Sequence, residues 1–143
     1  MSKKLILGVS MLCFLISAAA EDGRIQVQLP EPMREHMLSN MRDHLLALES
    51  ITRDLASGQF DAAAETAESR LGMSSMALHG ASHMAPFMPE GMRTTGTAMH
   101  RAASRFALKA KDAAVDGGLA AAFGALSEVM QQCVACHSGY RVH

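Results

Sequence analysis

Apolar side chains return every three or four residues in four stretches of this 143-residue chain. In the first, Met33, Met37, Met41, His44, Leu45, Leu48, Ile51 and Leu55 share one helical face. Pro30 and Pro32 stand where a first helical turn tolerates them, and Gly58 stops the run. A second helix is expected from an Asp61 N-cap, with Ala64, Ala67, Leu71 and Leu78 on its inner side and Gly80 at its end. Residues 80–91, "GASHMAPFMPEG", carry two prolines and two glycines and read as a connection. A third helix is expected from about Met92, with Thr95, Met99, Ala102, Phe106, Ala110 and Ala113 inward, up to the break "DGG" at 116–118. The fourth starts near Leu119. Its stripe is Leu119, Ala122, Phe123, Leu126, Val129, Met130, Cys133 and His137, which puts Cys133 and His137 along a buried edge with Cys136 beside them.

Nothing reads as a strand, and no repeat of 20–50 residues is evident. The expected fold class is all-α, an antiparallel four-helix bundle with short connections.

The first twenty residues stand apart from this pattern. Lys3 and Lys4 precede an apolar run from Leu5 to Ile16, too short to span a bilayer, and Ala18-Ala19-Ala20 follows. This is the pattern of a secretory signal cut after Ala20, with export to the periplasm and no membrane span in the mature chain. Cys13 lies inside the apolar run, and Leu12 before it is a poor residue for lipoprotein processing. The expected domains are therefore a leader, 1–20, and one helical domain, 21–143.

Without Lys3 and Lys4 the chain keeps 11 basic against 14 acidic side chains. That balance argues against a nucleic-acid partner, which needs a basic face. Composition also favours helix: alanine is abundant and β-branched residues are scarce. With no Trp, one Tyr and five Phe, a core of alanine and methionine looks thin for a chain of this length. A large apolar cofactor would supply the missing bulk.

The chain ends "VMQQCVACHSGYRVH". Cys133-x-x-Cys136-His137 is the attachment sequence of c-type haem. Two thiols at this spacing can add to the two vinyl groups of one porphyrin edge, and the next imidazole then reaches the iron. Export agrees, because such attachment occurs outside the cytoplasm. Two other readings compete. A redox dithiol normally opens a helix after a strand, and no strand precedes Cys133. A structural zinc site wants four ligands, and His143 would have to join Cys133, Cys136 and His137.

"CVACHSGYR" on the last helix resembles the class II cytochromes c, the cytochrome c prime group, as does "GQFDAA" at 58–63 between the first two helices. The resemblance covers Glu31 to Arg141. It implies a monohaem electron carrier working with redox partner proteins, with Cys133 and Cys136 as thioether anchors and His137 as proximal ligand. It also implies Arg141 near the propionates or capping the last carbonyls, Arg34 near a propionate, and a homodimer through the first two helices. Ala62, Ala63 and Ala67 would permit that dimer, though small residues serve packing inside one chain equally well.

The sixth iron position separates two branches of that group. One leaves it open and binds gases such as NO or CO. The other fills it with a first-helix methionine, which raises the potential. "NMRDHL" resembles the second, with Met41 as the expected ligand, Met37 next and His44 third. Methionine on a helical stripe also serves as plain core filler.

A further Met/His enrichment is not asked for by the resemblance. It comprises His36, Met37, Met41 and His44, then His79, His83, Met84, Met88 and Met92, then Met99 and His100. Thioether and imidazole suit copper, so a copper-binding bundle is a second reading. No nucleophile–base pair stands out. Glu49, Asp54, Glu65, Glu68, Asp112 and Glu128 are scattered on helix exteriors, and no enzymatic activity is expected.

Overall fold

The structure is a computed structural model, and it describes residues 21–142. The expected leader, Cys13 and His143 lie outside the described residues. The described residues form five α-helices: α1 (Glu31–Ala56), α2 (Phe60–Arg70), α3 (Ala81–Met84), α4 (Glu90–Asp116) and α5 (Leu119–Gly139). The protein is all-α apart from one short pairing, described below.

Proline opens both long helices, Pro32 in α1 and Pro89 as the cap of α4, where a missing N–H costs nothing. Gly58 and Gly117 follow helix ends with φ of 71° and 72°, the left-handed turn that glycine adopts without strain.

The second helix differs from its expectation. It ends at Arg70, and Asp61 lies inside its first turn rather than capping it. The chain then passes through single 3₁₀ turns at Met73–Ser75 and Ala85–Phe87, with α3 between them. Leu71 is buried, but Leu78 is 73 % exposed, so the helical period breaks between them. Gly72 causes the break: its amide closes the α2 end on the Ala67 carbonyl at 2.7 Å.

α1 packs on α2, α2 on α4 and α4 on α5. The main core joins Ile51, Leu55, Leu71, Phe106, Leu126 and Val129 with ten alanines, among them Ala63 and Ala67. Those two alanines are consumed inside the monomer. Small residues let the backbones approach closely, and Phe106, fully buried, fills the centre.

α5 presents Ala122, Leu126 and Val129 to this core and leaves Leu119, Phe123, Met130 and Val134 exposed. It is the one described helix long and apolar enough to cross a membrane, yet only 17 % of its most apolar window is buried.

A second, methionine-rich cluster lies apart from the main core. Val27, Met37, Met84 and Met92 form its centre, and Met41, Met88, Cys136 and Tyr140 pack on it. Here the chain also makes a two-residue parallel pairing that the sequence pattern does not announce. β1 (Ile25–Gln26) pairs with β2 (Tyr140–Arg141), Ile25 opposite Tyr140 and Gln26 opposite Arg141. Two residues are too few for any period to show. The side-chain N–H of Arg24 also donates to the His137 carbonyl at 3.3 Å, so the first described residues brace the last.

Candidate functional site

A cavity of about 610 Å³ opens between α1, α4, α5 and the segment 76–88, within the size range of ligand and cofactor sites. Cys133, Cys136 and His137 line it from α5. Met37, Asn40, Met41, His44 and Leu48 line it from α1, at the three- and four-residue steps of one helical face. Met84, Met88 and Met92 add further thioethers to the lining. The sequence motif and the first-helix methionines thus face one space.

His137 departs from expectation. The buried stripe of α5 runs Ala122, Leu126, Val129, Cys133, Cys136, and both cysteines are half-buried. His137 lies one residue further round, on the exposed flank with Phe123 and Met130. It stands at the cavity rim rather than along the buried edge.

The lining is mostly apolar and holds no carboxylate. Its fixed cations are Arg93 and Arg141. Arg141 Nε is buried without a hydrogen-bond partner, its nearest anion being Asp22 Oδ2 at 3.4 Å. A buried donor in that state is ready for an anionic ligand group. Arg34 does not line the cavity, and its Nε donates to Glu31 Oε2 at 2.9 Å, three residues back on the same helix.

Gly96 supplies another feature. It lies inside α4, where glycine costs about 1 kcal/mol relative to alanine. It lines the cavity, and a Cβ built on it would meet no atom within 4 Å. The helix is left bare where a flat group could lie against it.

Burial pushes the Cys133 and Cys136 thiols above their ordinary pKa, so both are protonated. The shift on Cys136 is reinforced by its neighbour Cys133. Neither cysteine is in a disulfide.

Three histidines on the same lining form a group that sequence spacing did not single out. His44, His79 and His100 come from α1, the loop after α2 and α4. Their ring centroids stand 4.7 Å (His44–His79), 5.1 Å (His79–His100) and 6.2 Å (His44–His100) apart. Burial, then the charges of His79 and His100, pull the His44 pKa down to about 4. Burial also lowers His79 and His100. His36 and His83 stay outside the lining. The sequence carried a signal only for the separate segments, because nothing local says which histidine of each faces inward.

No family model, curated protein or solved structure matches this chain.

Proposed function

We propose that this chain is an exported monohaem c-type cytochrome of the class II kind, an antiparallel four-helix bundle that passes single electrons between redox partner proteins in the periplasm. One observation carries the reading: both thiols and the imidazole of Cys133-x-x-Cys136-His137 line a single apolar cavity of about 610 Å³.

The residues present suit the group. Cys133 and Cys136 would hold the porphyrin edge and His137 the iron. The lining is apolar where the macrocycle needs cover and lacks carboxylates that would repel propionates. Arg141 and Arg93 are the cations available to those propionates. Gly96 leaves room against α4. Met41, and after it Met37, are the thioethers offered from α1. When bound, the haem supplies a reversible one-electron iron couple tuned by its axial ligands and burial.

The protein's own work is to bind, cover and orient. Met84 and Met92, buried in the methionine-rich cluster, add apolar cover to the lining. β1 and Arg24 hold the segment that carries His137.

Absorption spectra of the mature protein, made in a host competent in c-type cytochrome maturation, test the reading. A chromophore that survives denaturation, with a low-spin ferric form, is expected for a carrier. A high-spin ferric form would instead place the protein with the open-iron gas binders. Colourless protein with both thiols free sinks the haem assignment.

A further inference from the structure

We propose that His44, His79 and His100 form a copper site of their own, distinct from the Cys133-x-x-Cys136-His137 motif. The inference does not depend on haem.

Hydrogen bonds fix the rings. The Ser75 hydroxyl, fully buried, donates its single hydrogen to the Gly72 carbonyl at 2.7 Å. It can therefore only accept from His79 Nδ1, 3.3 Å away. His79 then carries its lone pair on Nε2. The same logic holds for His100. Its Nδ1 donates to the Leu71 carbonyl at 2.7 Å, which leaves the lone pair on Nε2. Metal-binding histidines are commonly held this way, the far nitrogen tied to an oxygen and the near one free.

The spacing also fits. His44 Nε2–H donates to the lone pair of His79 Nε2 at 3.4 Å, and His44 offers Nε2 to a metal once its proton moves to Nδ1. Two imidazole nitrogens bound at about 2.0 Å to one tetrahedral ion stand about 3.3 Å apart. With each ring centre about 1.1 Å behind its nitrogen, the centroids of such a set stand about 5 Å apart. The measured separations, 4.7, 5.1 and 6.2 Å, bracket that value. As they stand the three rings are not closed on one point. His44 and His100 must approach by about 1 Å.

Such a move is local. His100 is 7 % exposed and tied to the α2 end, whereas His44 and His79 are only half-buried. The charged neighbours are also accounted for. Asp43 precedes His44 and is held by Arg70, and His36 approaches the segment from the side of Gly80. Neutral imidazoles without a carboxylate ligand, beside the thioethers of Met76 and Met99 on the same lining, favour copper over zinc.

The test uses the mature protein, stripped of metal by a chelator. Cu(I) is titrated under ascorbate against a competing chelator, Cu(II) is followed by paramagnetic resonance, and Zn(II) is the comparison. The expected result is one copper per chain, bound more tightly than about 1 μM, with nitrogen hyperfine structure in the Cu(II) spectrum. His79→Ala should weaken binding by about 100-fold and Ser75→Ala by about 10-fold, while His83→Ala leaves it unchanged. His79→Gln serves if His79→Ala misfolds. Absence of saturable binding at one equivalent overturns the proposal. So does equal loss in His83→Ala, or saturation by zinc but not by Cu(I). The visible spectrum of the same samples reports the haem separately. If the protein is colourless, Cys133 and Cys136 are first blocked with a maleimide so that thiols cannot mimic the site.

Discussion

The main-chain N–H of Val27 donates to the carbonyl of Arg141 at 2.8 Å, which ties the start of the described chain to its end beside the candidate site. Val27 is 3 % exposed within the methionine-rich cluster. Val27→Ala should therefore destabilise the protein by about 1–2 kcal/mol through lost burial. Val27→Pro removes the donor as well and should cost more. Urea unfolding at unchanged m-value measures both.

Two glycines of α4 should respond differently to alanine. A Cβ on Gly91 would collide with the Tyr140 hydroxyl, the far end of a half-buried side chain, so Gly91→Ala must displace that ring and should gain less stability than Gly96→Ala. A Cβ on Gly96 meets open space, so Gly96→Ala should stabilise the cofactor-free chain by up to about 1 kcal/mol. If a macrocycle occupies the cavity, the same Gly96→Ala change should lower the stability of the coloured protein. Paired melts of the two forms decide it.

The sixth position can be read from single substitutions. If the protein carries the proposed haem with Met41 on the iron, Met41→Ala should convert its ferric form from low to high spin and remove the methionine–iron charge-transfer band, while Met37→Ala should leave both. Both residues line the cavity, but Met37 is buried in the methionine-rich cluster and Met41 sits at its edge. A Met37→Ala protein that turns high-spin while Met41→Ala stays low-spin reverses the assignment.

Acid should loosen the metal-stripped protein as the buried histidines take up protons. His44 has a folded pKa of about 4 against an ordinary 6.5. Below pH 6.5 the unfolded chain takes up a proton that the folded chain refuses. Its contribution is therefore complete above pH 6.5 and is lost as pH falls toward 4, on the order of 2–3 kcal/mol. His79 and His100 shift in the same direction and add to the slope. Denaturant unfolding at pH 7 and pH 5 should show the drop, and His44→Gln should flatten it.

Core and surface should separate cleanly in the helical frame. Phe106→Ala leaves a cavity at the centre and should cost about 3–5 kcal/mol. Leu78→Ser, at 73 % exposure, should stay within about 0.5 kcal/mol, although both residues sit on expected inner stripes. Thermal melts of the two variants measure the difference.

The helices were legible in the sequence because their information is local. Pro32, Gly58 and Gly117 punctuate the chain, and the returns of Met37, Ile51, Leu55, Phe106 and Leu126 mark faces that are indeed buried. The Cys133-x-x-Cys136-His137 spacing is equally local, and its residues share one lining with the methionines of the first-helix stripe. Tertiary structure alone decided the rest. The two-residue pairing of β1 with β2 has no period to read, and Leu78 lost its helix to the turn at Gly72. His137 fell on the open flank because the α5 stripe drifts by a fraction of a turn relative to the motif. Arg34 found a partner one turn away, whereas Arg141 was left facing the cavity. The meeting of His44, His79 and His100 depends on how three separate elements dock, and sequence spacing does not encode a distance between segments that touch only in the folded chain.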